Sequence, residues 1–251
     1  MGKTLVFANQ KGGVGKTTTA VNLGAYLADA GKKVLLVDFD PQGNLSSSVG
    51  IRKNTEGVYE ALTGKIALKE VVRKTPVAGM FIAASGINLT GANVELVDKE
   101  GRYFYLKKIL APVKDAYDYV FIDCPPSLGI LTVNGLAAAD SVIIPLQCEY
   151  FALEGLTLLL DTIKRMQVKI NPKLEIGGIL CTMYDSRTRL ANDVVQEVVK
   201  HFGKKVFKTI IPRNVRLSEA PSHGVPINQY DADSMGGKAY RLLAGEVITR
   251  G

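Results

Sequence analysis

The fold is decided by the stretch Ala8-Asn9-Gln10-Lys11-Gly12-Gly13-Val14-Gly15-Lys16-Thr17-Thr18. It lies between an apolar run at residues 5–8 and a stretch with helical periodicity at residues 17–30. Glycines let the backbone adopt positive φ angles and bring its N–H groups close to phosphate oxygens, while the start of the next helix adds partial positive charge. Lys16 is placed to hold β- and γ-phosphates, and Thr17 to ligate Mg²⁺. The stretch therefore predicts a phosphate-binding loop for ATP and Mg²⁺.

Short apolar runs recur along the rest of the chain, and stretches with helical periodicity separate them. The runs are residues 5–8, 34–37, 119–122, 142–144 and 179–180, and the helical stretches are residues 17–30, 153–166, 192–202 and 238–248. Continuous apolar runs are typical of strands that are buried on both faces. We expect an α/β fold over residues 1–251, a single P-loop NTPase-like domain with a doubly wound, mostly parallel sheet and helices on both faces. Residues 50–90 are less regular, and we expect short helices and one further strand there.

Composition limits the class of protein. No export signal precedes the first apolar run, and no run approaches the roughly 20 apolar residues that cross a bilayer. Three widely spaced cysteines form neither a C-x-x-C pair nor an even disulfide set, so we expect buried free thiols. These features indicate a cytoplasmic protein without a membrane partner.

Acidic residues follow two of the apolar runs, at the sheet edge where such folds bind their ligands. Asp38 and Asp40 close one strand, and Asp123 closes another. Asp38 and Asp40 are candidates for the Mg²⁺ shell or for orienting an attacking water, although Asp40-Pro41-Gln42-Gly43 could also be an ordinary turn. Asp123 ends a buried strand, where an unpaired carboxylate would be costly, so it is interpreted as the acid that holds Mg²⁺ through a water.

The loop departs from the usual pattern G-x-x-x-x-G-K-[ST] in two ways. Gln10 stands where that pattern has Gly, and an additional lysine, Lys11, follows it. Lys11 could be a solvated surface lysine, which is the common fate of lysines. It could also reach the nucleotide of a second subunit.

The segment from Lys11 to Thr17 matches K-G-G-x-x-K-[TS], the pattern of the deviant Walker A ATPases. Over nearly its whole length the chain resembles the ParA/Soj family of chromosome- and plasmid-partitioning ATPases. The matching segments are residues 9–19, 34–44, 123–130, 144–156, 182–187 and 211–221. The resemblance implies a homodimer that forms on ATP, with Lys11 contacting the partner's nucleotide and Asp40 acting in hydrolysis.

The same resemblance implies which residues hold the nucleotide and the metal. The nucleotide contacts are Lys11, Gly12, Gly13, Val14, Gly15, Lys16, Thr17 and Thr18 on the loop, with Thr182, Met183, Pro212 and Asn214 near the adenine. The metal contacts are Thr17, Asp38, Asp40 and Asp123. The catalytic set is Lys11, Lys16 and Asp40.

Positive charge is concentrated near the end of the chain. Residues 187–216 contain eight Lys or Arg and two acidic residues, which accounts for +6 of the formal net charge of +7. Such a stretch can bind the DNA backbone without sequence preference, although it could equally be a solvated face. The resemblance favours double-stranded DNA as the partner, with Arg187 and Arg216 as contacts, and therefore a nucleoid-associated protein.

No arginine stands near the loop in sequence, so we expect slow basal turnover. By resemblance, a ParB-like centromere-binding protein stimulates hydrolysis and releases the dimer from DNA. Such a cycle would drive chromosome or plasmid segregation, and some relatives also regulate replication initiation.

Three alternatives remain open from sequence. A MinD-like cell-division ATPase would need a membrane-binding helix beyond the domain, whereas this sequence stops just after its last helical stretch. A metabolic enzyme on the same fold, such as a dethiobiotin synthetase or cobyrinate amidase, would use ATP to activate a small carboxylate. A DNA-binding scaffold would leave Lys16, Thr17, Asp40 and Asp123 without a purpose.

Overall fold

The computed structural model describes residues 2–51, 56–86, 88–150 and 152–250. Its centre is a seven-stranded sheet in the order β3-β4-β2-β5-β1-β6-β7. The strands are β1 (Lys3–Phe7), β2 (Val34–Asp38), β3 (Val72–Lys74), β4 (Met80–Ala83), β5 (Tyr119–Asp123), β6 (Ser141–Gln147) and β7 (Glu175–Thr182). All neighbouring pairs are parallel except β3 with β4. The predicted mostly parallel sheet is therefore confirmed.

Helices cover both faces of this sheet. They are α1 (Lys16–Asp29), α2 (Asn44–Ser48), α3 (Val58–Leu62), α4 (Leu68–Val71), α5 (Leu89–Glu95), α6 (Tyr105–Leu110), α7 (Ile130–Ala138), α8 (Ala152–Lys169), α9 (Arg189–Phe202), α10 (Val215–Glu219), α11 (Ile227–Tyr230) and α12 (Met235–Arg250). Short 3₁₀ turns lie at Lys114–Ala116, Gly203–Lys205 and Ala220–His223. On β5, Val120 and Ile122 pack into the core under α3 to α9, whereas Phe121 packs into the core under α1, α2 and α10 to α12. Strands buried on both faces thus explain the continuous apolar runs.

The segment between residues 50 and 90 differs from the expectation, because it contributes two strands instead of one. The additional strand, β3, has three residues and pairs antiparallel with β4 at the sheet edge. Its sequence, Val72-Arg73-Lys74, has no apolar run, because an edge strand of this length buries little surface. Periodicity in the sequence therefore could not reveal it.

The topology gathers the carboxyl ends of three strands at one place. β1 lies between β5 and β6, and in register Phe7 is opposite Asp123, which is in turn opposite Asp38. The chain leaves β1 toward β2 and leaves β5 toward β6, so the strand order switches direction here. Ligands of doubly wound sheets bind in the crevice at such a switch point.

The expected thiols and the last helix are also as predicted. All three cysteines are buried and free. On α12, Tyr240, Leu243 and Val247 are buried in the core shared with α1. Among the described residues, no helix is both long and apolar enough to cross a bilayer.

Candidate nucleotide site

The loop between β1 and α1 has the backbone that phosphate binding requires. Gly13 and Gly15 have φ angles of 72° and 88°, in the left-handed region that favours glycine. Helix α1 starts directly at Lys16, after Gly15. The amino end of a 14-residue helix and two glycines in this conformation together present N–H groups to an anion.

Lys16 is held inside the loop. Its side chain is buried, and its Nζ donates a long hydrogen bond of 3.4 Å to the carbonyl oxygen of Lys11. Burial lowers the pKa of Lys16, while the charges of Asp123 and Asp40 oppose that shift. The ammonium of Lys16 is buried, has one weak hydrogen-bond partner and lines an open cavity. It is therefore well suited to bind phosphate oxygens.

Thr17 and Asp123 form the candidate metal site. Thr17 Oγ1 donates a hydrogen bond of 2.6 Å to Asp123 Oδ2. The other oxygen, Asp123 Oδ1, is buried and accepts no hydrogen bond from the described residues. Burial, and next the charge of Asp38, raise the pKa of Asp123. A hydroxyl beside a buried, under-satisfied carboxylate fits a hard cation such as Mg²⁺.

The site does not resemble a cage built of protein ligands alone. Among the residues that the structure describes, no cluster of three or more His, Cys, Asp or Glu side chains could hold a metal ion. Mg²⁺ commonly takes only one or two carboxylates and completes its shell with substrate phosphates and waters. Thr17 and Asp123 therefore suffice on the protein side if phosphates are bound.

The structure separates Asp38 from Asp40. Asp38 is fully buried, and its Oδ2 accepts hydrogen bonds from the backbone N–H and the hydroxyl of Ser46, at 2.8 and 2.6 Å. Burial raises the pKa of Asp38, and the two Ser46 bonds oppose that shift. Asp40 instead lines the phosphate cavity, with its Oδ1 accepting from the Gln42 N–H at 2.9 Å. Only the second of the two acids borders the space where phosphates would lie.

Two connected cavities extend from the loop. The phosphate cavity has a volume of about 550 Å³ and is lined by Gly12, Gly13, Gly15, Lys16, Thr17, Thr18, Asp40, Gln42, Asn44, Ser47, Ser48, Pro126, Met183 and Pro221. The nucleoside cavity has a volume of about 290 Å³ and is lined by Gly15, Thr18, Thr182, Met183, Ile211, Pro212, Arg213, Asn214, Leu217, Ser218, Pro221 and Tyr240. The two share Gly15, Thr18, Met183 and Pro221. Their size and continuity suit a nucleoside triphosphate.

Backbone pairing beyond β7 builds the wall of the nucleoside cavity. The N–H of Tyr184 donates to the carbonyl of Ile211 at 3.1 Å, and the N–H of Arg213 donates to the carbonyl of Tyr184 at 2.9 Å. These bonds bring Met183 beside Pro212, two residues that are far apart in the sequence. The predicted set Thr182, Met183, Pro212 and Asn214 thus lies together on one cavity.

Met183 has an unusual backbone conformation. Its φ angle of 51° is the only positive value for a non-glycine residue in the described part of the chain. A long side chain in this region costs on the order of 1–3 kcal/mol, and such strain clusters at ligand sites. Because Met183 lines both cavities, the strain lies where nucleoside and phosphates would meet.

Sequence reasoning missed several lining residues. Arg213 lies in the basic stretch and Tyr240 in the last predicted helical stretch, and both line the nucleoside cavity. The Tyr240 hydroxyl also shares a hydrogen bond of 3.2 Å with Thr19 Oγ1 on α1. The position of Arg213 directly between Pro212 and Asn214 was the available signal for it; Tyr240 had none.

The other predicted residues lie outside these cavities. Lys11 Nζ is 2.6 Å from Glu149 Oε2, on the surface beside the loop. Arg187 and Arg216 are exposed, with Arg187 paired to Asp185 and Arg216 paired to Glu219. Both arginines lie within four residues of the bridge between Tyr184 and Pro212, and Pro212 lines the nucleoside cavity.

Comparison with known proteins identifies the family. A family model described as an AAA domain matches residues 2–176. The chain is 65% identical over 250 residues to the chromosome-partitioning ATPase Soj of Treponema pallidum, covering 100% of this chain and 98% of that protein. It is 51% identical over 252 residues to the chromosome partitioning protein ParA of Myxococcus xanthus, covering 100% and 89%.

A solved relative carries a different name and was solved with the kind of ligand that the sequence of this chain predicts. It is the cobyrinic acid a,c-diamide synthase of Mycobacterium smegmatis, with a TM-score of 0.85 and 40% identity, covering 98% of this chain and 93% of that one. It was solved with bound ADP and magnesium, and also with an ATP analogue and magnesium. Relatives of this fold thus confirm the predicted cofactor class, an adenine nucleotide with Mg²⁺. This chain matches Soj and ParA proteins over its full length, and its phosphate loop has the geometry described above. The chain therefore belongs to the Soj/ParA family of chromosome-partitioning ATPases.

Proposed function

We propose that this chain is a slow Mg²⁺-dependent ATPase that dimerises on ATP, binds duplex DNA without sequence preference, and leaves the DNA after hydrolysis. One observation carries the proposal: the loop, Lys16, Asp40 and the Thr17–Asp123 pair all border or adjoin a single cavity that continues into a nucleoside pocket. Bound Mg²⁺ would neutralise phosphate charge. The remaining steps depend on the chain's own residues.

Asp40 is the proposed hydrolysis residue. Asp40 lines the phosphate cavity, and two hydrogen bonds fix its position. The Gln42 N–H donates to its Oδ1, and Ser85 Oγ donates to its backbone carbonyl at 2.7 Å. A carboxylate fixed beside the γ-phosphate position can accept a proton from, or orient, an attacking water. Asp38 Oδ2 accepts both bonds from Ser46, and its Oδ1 accepts a long bond of 3.4 Å from the Asp40 N–H, so we assign Asp38 the role of anchoring the turn that carries Asp40.

Dimerisation is supported by the exposed side of the loop. Gly12 would tolerate a Cβ within its own subunit, since the nearest atom to it is Pro126 Cβ at 3.9 Å. Lys11 is half exposed and does not line the phosphate cavity of its own subunit. Both residues are thus accessible to a partner that faces the phosphate cavity, where Lys11 would contact that partner's nucleotide.

DNA binding is supported by the positions of the basic residues. All eight Lys and Arg of the basic stretch are exposed: Arg187, Arg189, Lys200, Lys204, Lys205, Lys208, Arg213 and Arg216. Neutralising phosphates with such residues releases counterions and gives affinity that falls steeply with salt. The pKa of Asp185 is lowered to about 2, mainly by its hydrogen bonds from Arg187 and further by the positive charges of Arg187 and Arg213. We propose Arg187 and Arg216 as duplex contacts next to the nucleoside cavity.

Release from DNA follows from hydrolysis, which a ParB-like centromere-binding protein is proposed to stimulate. Arg213 lines the nucleoside cavity, and among the described residues no arginine lines the phosphate cavity. Without an arginine at the phosphates, basal turnover is expected to be slow. The resulting cycle would bring the protein to the nucleoid in the cytoplasm and drive segregation of chromosomes or plasmids.

The test is retention on random-sequence duplex with ATP, with ADP and without nucleotide, each at 50 and 200 mM salt. We expect binding only with ATP and a steep loss at the higher salt. Equal retention in all three nucleotide states would refute gating by ATP. Absence of binding with ATP at the lower salt would refute the DNA partner.

A second candidate is ATP-dependent amidation of a carboxylate, because the Mycobacterium smegmatis relative carries that name. The higher identity to the partitioning proteins and the exposed basic stretch favour segregation. The two candidates differ in what accelerates ATP hydrolysis. Stimulation by cobyrinic acid with an amide donor, and none by duplex with a ParB-like partner, would favour the amidating enzyme.

A further inference from the structure

Lys11 is held by an acid of its own subunit. Its Nζ lies 2.6 Å from Glu149 Oε2, and both side chains are about half exposed. The second oxygen of that carboxylate, Glu149 Oε1, accepts a hydrogen bond of 2.5 Å from Gln147 Nε2. Glu149 is therefore fixed on one side by Gln147 while it binds Lys11 on the other.

The scaffold sets this geometry. The Lys11 N–H donates to Asn9 Oδ1 at 3.0 Å, and Asn9 Nδ2 donates to the carbonyl of Pro145 at 2.8 Å. Pro145 belongs to β6, the strand that ends at Gln147 and leads into Glu149. Because Asn9 is buried, its two bonds join the base of the phosphate loop to the strand that carries the acid. The pairing of Lys11 with Glu149 is thus built by neighbouring backbone and is more than a chance surface contact.

This contact conflicts with the function proposed for Lys11. The Lys11 ammonium has three donors, but its contact with Glu149 holds it at the surface of its own subunit, so Lys11 is expected to give up this ion pair when it reaches the nucleotide of a second subunit. A triphosphate carries more negative charge than one carboxylate, so a partner's nucleotide can displace Glu149 once two subunits face each other. The exchange still costs the monomer its ion pair.

We propose that Glu149 is a positioning residue that holds Lys11 in its own subunit until a partner's ATP replaces it, and so raises the protein concentration at which the dimer forms. The proposal rests on the proposed ATP-dependent dimer. Gln147 supports Glu149 and contributes indirectly. The ion pair holds the Lys11 side chain in one direction and opposes dimer formation until a partner's ATP replaces Glu149.

The expected size follows from the exposure of the pair. Half-exposed ion pairs change an equilibrium by about 1.4- to 5-fold, and a two-fold dimer breaks two of them, so the dimer dissociation constant changes by about 2- to 30-fold. Such a shift is measurable by sedimentation velocity across a protein dilution series, with a non-hydrolysable ATP analogue and Mg²⁺.

The experiment compares wild type, Glu149→Gln, Gln147→Leu and the control Glu154→Gln, an exposed acid in the first turn of α8. We expect tighter dimers for Glu149→Gln, a smaller shift in the same direction for Gln147→Leu, and none for the control. The difference between Glu149→Gln and wild type should shrink from 50 to 500 mM salt, because salt screens an exposed pair.

Two results would overturn the proposal, and they differ in meaning. If wild type dimerises and Glu149→Gln dimerises equally or more weakly, Glu149 does not oppose association, and the proposed function stands. If wild type remains monomeric with the analogue, the proposed dimer itself fails. If the dimer dissociation constants of Glu149→Gln and wild type differed as much at 500 mM salt as at 50 mM salt, the effect would not come from the ion pair between Glu149 and Lys11.

Discussion

Thr17 Oγ1 donates a hydrogen bond of 2.6 Å to Asp123 Oδ2, while the other oxygen of Asp123 is buried without a hydrogen-bond donor among the described residues. The helix after the loop and the end of β5 are thus joined through one carboxylate that is only half satisfied. A buried carboxylate oxygen without a partner lowers the stability of the ligand-free protein, whereas a bound cation would supply the missing partner.

Asp123→Asn is therefore expected to change stability and activity in opposite directions. Asparagine keeps an oxygen for the Thr17 hydroxyl but carries no charge, so removing the buried carboxylate and its repulsion with Asp38 should stabilise the ligand-free protein at neutral pH. Mg²⁺-dependent hydrolysis should fall sharply. Chemical denaturation with and without Mg-ATP measures both, and the stabilisation by ligand should be larger in wild type.

The contrasting variant for that experiment is Asp38→Ala. Asp38 is equally buried, but its Oδ2 accepts both Ser46 bonds, so alanine removes the acceptor of two buried donors and should lower stability. If Asp123→Asn lost stability to the same degree as Asp38→Ala, the interpretation of Asp123 as an under-satisfied metal ligand would be wrong.

Thr182→Val tests how β7 supports the loop. Thr182 Oγ1 donates to the carbonyl of Val14 at 2.9 Å in a buried position. Valine has the same shape but no donor, so the carbonyl loses its partner, at a cost of about 1–3 kcal/mol. We expect lower stability and weaker ATP binding, measured by thermal unfolding and by titration of a fluorescent ATP analogue. Thr182→Ser keeps the donor and should behave like wild type; equal ATP affinity for Val and Ser variants would count against this support.

Sequence alone predicted those parts of the site that follow from local pattern. The loop, the start of α1 and Asp123 were visible, because glycine spacing and an apolar run that ends in an acid are features of neighbouring residues. The roles of Asp38 and Asp40 could not be separated, since the hydroxyl and N–H that occupy Asp38 come from Ser46, on another element. Arg213 and Tyr240 were missed as cavity residues for the same reason, because pairing between distant segments places them there.

Gly12→Val tests the dimer separately from nucleotide binding. Apart from residues 11–13, the heavy atom of its own subunit nearest to a Cβ at Gly12 would be Pro126 Cβ, at 3.9 Å. The φ angle of Gly12 is not positive, so we expect the variant to fold and bind ATP. The added methyl groups would project toward the proposed partner and prevent close approach. Sedimentation with a non-hydrolysable analogue should give a monomer, whereas Gly245→Val, on the exposed face of α12, should still dimerise. Persistent dimers of Gly12→Val would place the interface elsewhere.

Asp40→Asn tests the hydrolysis residue with little disturbance of its turn. Asparagine keeps an oxygen that can accept the Gln42 N–H but loses the charge that activates water. Loss of a general base typically costs about 10²–10⁴-fold in rate. We expect such a fall in ATPase rate, an intact ATP dimer and longer residence on duplex, measured by phosphate release and by dissociation into competitor DNA. A rate equal to wild type would remove Asp40 from this role.

Arg216→Ala tests the duplex contact. Arg216 is exposed, and its guanidinium pairs with Glu219 at 2.9 Å and Asp231 at 3.5 Å and also interacts with Tyr230. None of these partners lines either cavity, so the loss of Arg216 should leave the nucleotide site intact. Each lost phosphate contact reduces the slope of log affinity against log salt by about 0.9, and a dimer would lose two contacts, so the slope should fall by about 2. Duplex binding with ATP, titrated from 50 to 200 mM salt, measures this slope. Lys65→Ala, an exposed lysine outside the basic stretch, should leave it unchanged. If both variants gave the wild-type slope, Arg216 would not contact DNA; if both lowered it alike, binding would depend on net charge alone and not on the surface beside the nucleoside cavity.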